Sequence, residues 1–237
     1  MFLMSVVQGL EVLGLTRPVP LCQQPQDISD EALSAKVTQH LLAQGLGATK
    51  SVRLIQLAAL TAVELDAYWE SAQPRYLAQA DQHWQGVIDQ LPECLVKDVS
   101  LQAASAASYF LVEETMRRRI TNGDRFIWEE VITYLFQRGS DSLIYASLLR
   151  LDGIEGRAHI AAFRALQALE DIEDDLLDLE SDRSRCGANM LLMVDDYRNK
   201  RIVKLAKACY DFIGKAGLLV VTARAAEAFT RIKAIAC

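Results

Sequence analysis

Between Ala165 and Arg183 the chain reads ALQALEDIEDDLLDLESDR. Its apolar positions fall at Leu169, Ile172, Leu176 and Leu179. Turned at about 100° per residue from Asp171, these four occupy an arc of roughly 80–160°, the stripe of a helix packed on a core. The same arithmetic sorts the acids. Asp171, Asp174, Asp175, Asp178 and Asp182 share an arc of about 100°, and Glu170, Glu173 and Glu180 fall on the remaining side. Arg164 and Arg157 lie upstream, in line with the aspartates.

Elsewhere the pattern is helical too. All five prolines, Pro18 to Pro92, precede a long stretch rich in Ala, Leu, Glu, Lys, Arg and Gln. About nine helices are predicted. The first spans Phe2 to Leu15, and a Pro-rich turn near 16–29 leads to one over Asp30–Gln44. Others cover Thr49–Ala72, the stretch from Pro74 to Pro92, and Val99–Thr121, stopped by Asn122-Gly123. The next run, Asp124 to Leu151, is weakened at Gly139. The acidic helix starts at Asp152, where Glu155 completes a capping-box pattern, and reaches Asp182. Two more fill Asp195–Cys237, interrupted near Gly214 and Gly217. The best strand signal, LLVVT at Leu218–Thr222, sits inside a helical pattern. The expectation is one all-α domain over residues 1–237.

Composition narrows the classes. With 51% hydrophobic and 24% charged residues, 237 residues suit a folded globular chain and not a disordered one. A net charge of −6 argues against nucleic-acid binding by bulk electrostatics. Arg117, Arg118 and Arg119 read as an ion-paired face beside Glu113 and Glu114. Five cysteines without a C-x-x-C pair predict neither disulfides nor structural zinc, and a reducing, cytoplasmic setting. No uncharged apolar run is long enough for a membrane span, and the apolar N-terminus lacks a basic leader. No Glu-x-x-His, H-E-x-x-H or G-x-S-x-G occurs, which excludes the usual di-iron, zincin and hydrolase patterns.

The acidic helix therefore carries the candidate chemistry. Like charges at i,i+4 destabilise a helix by a few tenths of a kcal/mol each, and Asp is a poorer helix former than Glu. Two readings account for the aspartates: a solvated acidic face, or an anchor for Mg²⁺, which takes hard oxygen ligands from one or two carboxylates plus substrate phosphates.

Asp174-Asp175-Leu176-Leu177-Asp178 resembles the second aspartate-rich motif, DDxxD, of trans-prenyltransferases in the class I isoprenoid synthase superfamily. Asp171/Asp175 and Asp174/Asp178 also satisfy the DxxxD of squalene and phytoene synthases. The stretch EEVITYLFQRGSDSLIYASLL, Glu129 to Leu149, is similar to the family helix that turns a basic and a small hydroxyl residue toward the diphosphate, here Arg138 and Ser140. The resemblance implies an all-helical fold with a central apolar cavity. It implies Mg²⁺ held by Asp171, Asp174, Asp175 and Asp178, and an allylic prenyl diphosphate ionised there, then coupled or cyclised with release of pyrophosphate. Arg138, Arg164 and Arg75 become diphosphate contacts. Asp66 and Glu70, at i,i+4 in VELDAYWE, stand where the family has its first motif, although they do not form DDxxD. A homodimer is the implied assembly. The degenerate first motif also admits a non-catalytic helical partner or regulatory subunit that keeps the fold.

Overall fold

Helix α1, Val52–Ser71, stops at Ala72, which takes a left-handed conformation (φ 55°) and gives its N–H to the Tyr68 carbonyl at 2.7 Å. Pro74 then opens α2, Pro74–Ile88, at the first helical position, where its missing N–H costs nothing. So short a link makes the two helices an antiparallel hairpin. The computed structural model that establishes this describes residues 51–153, 157–185, 187–194, 199–216 and 219–236. Every regular element among the described residues is helical, α or 3-10. None of the described helices is long and apolar enough to cross a membrane. The two helices expected before residue 45 lie outside the described residues.

The chain divides into two compact units. The first falls within Met1–Leu111 and Leu143–Glu155. Its core is built on the packed α1/α2 hairpin, which buries Ile55, Leu65 and Trp69 of α1 and Leu77, Trp84 and Val87 of α2. Burying side chains of this kind is worth about 1.5–3 kcal/mol each. Helix α3, Glu93–Ala107, follows, and α4, Tyr109–Thr121, begins in this unit. The predicted single helix over Val99–Thr121 is thus broken at Ser108, whose hydroxyl turns back to the Ser105 carbonyl at 2.6 Å. Helix α6, Ser142–Leu149, and a 3-10 turn, Arg150–Asp152, complete the unit. With Glu155 outside the described residues, only Asp152 of the expected capping box is described. Its Oδ2 accepts the Ser51 N–H at 2.9 Å and the Ser51 hydroxyl at 2.6 Å.

The second unit, Val112–Ser142 with Gly156–Cys237, is built around the acidic helix α7, Arg157–Arg185. At 1.5 Å per residue its 29 residues run about 43 Å. Helix α5, Trp128–Arg138, packs on it, as does the hairpin of α8, Asn199–Ala216, and α9, Leu219–Ala236. Leu219–Thr222 of the LLVVT strand signal falls at the start of α9. The core joins Leu166, Leu169 and Ile172 of α7 to Val131, Leu135, Ile202, Ile213 and Ile232. Leu176 and Leu179, further along the predicted stripe, are half-buried.

The predicted helix over Asp124–Leu151 is interrupted at Gly139, where α5 gives way to a 3-10 turn, Gly139–Asp141. A Cβ at Gly139 would stand 2.9 Å from Gln167 Cγ of α7. The helix end is pressed onto the acidic helix, and any side chain there would have to displace Gln167.

Candidate functional site

The close approach at Gly139 sets the geometry of the aspartates. It brings Arg138, the last residue of α5, against α7. Arg138 Nη1 donates to Asp175 Oδ1 at 2.5 Å, and its Nε stands 3.9 Å from Asp171 Oδ1. The guanidinium also lies 5.9 Å from the Tyr134 ring centroid, within cation–π range. Ser140, in the 3-10 turn, is half-buried.

Asp175 is buried and both its oxygens are used. Oδ2 accepts the Met190 N–H at 2.7 Å from the segment that follows α7. That segment folds back through Asn189, which is fully buried and serves three partners. Its side-chain amide donates to the Asp175 carbonyl at 2.8 Å and to Asp182 Oδ2 at 2.9 Å, and its oxygen accepts the Leu191 N–H at 2.9 Å, capping the 3-10 helix Met190–Met193. Tyr134 adds a hydrogen bond to the Ala188 carbonyl at 3.0 Å. At Gly187 a Cβ would meet Asp182 Oδ1 at 2.6 Å, so any side chain in this turn would have to displace Asp182.

Asp171 is also buried, and its Oδ1 accepts the Gln167 side-chain amide at 3.1 Å. Its Oδ2 is buried with no hydrogen-bond partner. Desolvation pushes the Asp171 carboxyl up to about 7, against the lowering pull of Arg138 and Gln167, with Asp175 and Asp141 adding repulsion. Desolvation raises the Asp174 carboxyl as well, opposed by Arg138 and reinforced by Glu173, Glu170 and Asp178. In Asp175, burial raises the carboxyl while Arg138 and the Met190 N–H hold it down. Asp174 and Asp178 are exposed, one turn apart on α7.

The glutamates of α7 have a different fate. Glu170 and Glu173 are buried, and α9 supplies their counter-charges. Arg224 Nε donates to Glu170 at 2.9 Å. Arg231 grips Glu173 through Nε and Nη2 together, the latter at 3.0 Å. Glu180 pairs with Arg183 on the surface.

No protein-family model, curated protein or solved structure matches the chain. The site is therefore read from its own residues. Asp171, Asp174, Asp175, Asp178 and Arg138 are gathered on one side of the second unit. Arg164 is not drawn to the aspartates; its Nη2 donates to the Phe136 carbonyl at 2.9 Å. Asp66, Glu70 and Arg75 belong to the first unit. Asp66 is exposed on α1, the Glu70 side chain lies outside the description, and Arg75 stacks 4.7 Å over Tyr76 while donating to its hydroxyl at 3.0 Å. Sequence reasoning missed Gly187, Asn189, Arg224 and Arg231. Arg224 and Arg231 stand two turns apart on one helix face, but nothing in that spacing names Glu170 and Glu173 as their partners.

Mg²⁺ can be tested against these donors. Among the described residues no three His, Cys, Asp or Glu side chains converge as a ready metal group. Mg²⁺ needs only one or two carboxylates when a phosphate supplies the rest. Asp174 and Asp178 meet that requirement, and the orphaned Oδ2 of Asp171 is a further hard oxygen. Asp175 is a poorer donor than these, because each of its oxygens already accepts a hydrogen bond, from Arg138 and from Met190.

Proposed function

We propose that the chain is a Mg²⁺-dependent isoprenoid synthase that ionises an allylic prenyl diphosphate at the aspartate face of α7 and then couples or cyclises the carbocation. The observation that carries this reading is the docking of Arg138 onto Asp171 and Asp175. It sets the basic end of α5 against the aspartate face of α7, which supports this reading. Asp174 and Asp178 would hold the metal, with Asp171 next to them. Mg²⁺, when bound, would supply positive charge that stabilises the departing pyrophosphate. Arg138 would contact the diphosphate through a planar fork suited to phosphate oxygens. Asp175 serves by position: it fixes Arg138 on one side and the Met190 segment on the other. The reading needs only residues of the second unit.

The test is pyrophosphate release from geranyl, farnesyl and geranylgeranyl diphosphates, each with and without isopentenyl diphosphate, in Mg²⁺ and in EDTA. Release should require Mg²⁺ and fall by about 10² or more in Asp174→Asn, the scale of losing one transition-state electrostatic contact. A need for isopentenyl diphosphate marks chain elongation, and its absence marks cyclisation.

A second reading rests on the occupancy of Asp175 and the pairing of Glu170 and Glu173. Here α7 is the ion-paired spine of a non-catalytic helical partner. It predicts a folded protein that releases no pyrophosphate from any of these substrates.

A further inference from the structure

Arg164, on α7 itself, differs from the arginines that pair with the acids of this helix. Arg138, Arg224 and Arg231 each meet a carboxylate. Arg164 makes one hydrogen bond, to the Phe136 carbonyl, and its Nε is buried without a partner. Half-buried Arg164 lines an open pocket of about 440 Å³ in the second unit, between α5, α7 and α8. The rest of the lining is apolar: Phe136, Leu205, Ala208, Cys209, Phe212 and two alanines of α7. Burial pushes the Cys209 thiol up to about 11, so it stays neutral and contributes as an apolar group. Phe212 is 44% exposed at the pocket, a large apolar ring left open to water.

An unneutralised cation beside apolar walls selects its ligand by chemistry. The walls favour a hydrocarbon chain, at about 25 cal/mol per Å² removed from water. The guanidinium favours a carboxylate or phosphate, both of which it can hold through paired N–H groups. The volume lies within the roughly 300–1,000 Å³ usual for small-molecule sites. We propose that this pocket binds a single-chain anionic amphiphile, its tail against Leu205, Ala208 and Phe212 and its head on Arg164. The inference needs no metal and does not rest on the isoprenoid reading.

The experiment is calorimetric titration of the full chain, in EDTA, with dodecanoate, dodecyl phosphate and dodecanol below their aggregation concentrations. One or both anions should bind at one per chain, about ten- to a hundredfold more tightly than dodecanol, the range expected of a charged hydrogen bond. The two anions distinguish a carboxylate from a phosphate head. Arg164→Gln, which keeps a donor for the Phe136 carbonyl, should remove the preference for the anions and spare dodecanol. Ala208→Trp, a substitution at an exposed position, should fill the pocket and abolish all binding while the helical circular dichroism is unchanged. Equal affinity for dodecanol and both anions, no binding at all, or binding undisturbed by Ala208→Trp would overturn the proposal.

Discussion

The two acidic faces of α7 hold carboxylates of the same charge and put them to different use. On the glutamate face the longer side chains reach α9, and Arg224 and Arg231 close the pairs. On the aspartate face one guanidinium serves two buried carboxylates, one oxygen of Asp171 has no hydrogen-bond partner, and Asp174 and Asp178 face solvent. The first face is a helix–helix joint in which each buried glutamate has its own arginine. The second has charge left over. Neutralising buried charge is the condition for folding, and leaving some of it un-neutralised is the condition for holding a cation or an anion–cation pair.

The largest expected effect comes from removing the cation shared by the aspartates. Arg138→Met should destabilise the protein by about 3–5 kcal/mol, because two buried carboxylates lose their compensation. Urea unfolding followed by circular dichroism measures it. A loss well below this would mean that Asp171 and Asp175 are neutralised by other means.

Asp171 gives the next effect, through pH. Its carboxyl titrates near 7 in the folded chain, against 3.8 ordinarily, so the folded state holds a proton that the unfolded state has lost between these values. Stability therefore falls as pH rises from about 4 to 7 and stays lower above it. Asp171→Asn should flatten that decline and raise stability at pH 8 on the order of 2 kcal/mol, read from unfolding midpoints across pH. Asp174 and Asp175 shift in the same direction, so some slope remains.

Breaking the glutamate joint should cost less. Arg231 is partly exposed, and water screens what Glu173 loses. Arg231→Gln should cost about 1 kcal/mol, and adding Glu173→Gln should recover part of it in a double-mutant cycle.

The helical class and the core stripe were legible because both are local. Spacings of three and four residues placed Leu169 and Ile172 inside, and the structure buries them fully. The segregation of Asp from Glu was legible for the same reason. The partners were not. Arg224 and Arg231 lie 54 and 58 residues from the glutamates they hold, and no local pattern pairs groups so far apart. The break at Gly139 was weakly marked by the glycine itself, but its cause, the approach of Gln167, is tertiary. Asn189 sits in a turn without periodicity, where only the Gly187 two residues earlier hinted at a tight return. The pocket around Arg164 was likewise invisible, since α5, α7 and α8 each contribute part of it.

The smallest effect on stability should accompany the largest effect on function. Asp174→Asn and Asp178→Asn change exposed side chains and should move stability by no more than about 0.5 kcal/mol. The most direct measurement is therefore calorimetric binding of inorganic pyrophosphate with Mg²⁺, comparing the wild type with the double variant Asp174→Asn/Asp178→Asn. The account predicts binding by the wild type only when both ligands are present, and its loss in the double variant at unchanged unfolding midpoint. Equal binding by both proteins, or none by the wild type, would contradict the claim that the aspartate face is the open one.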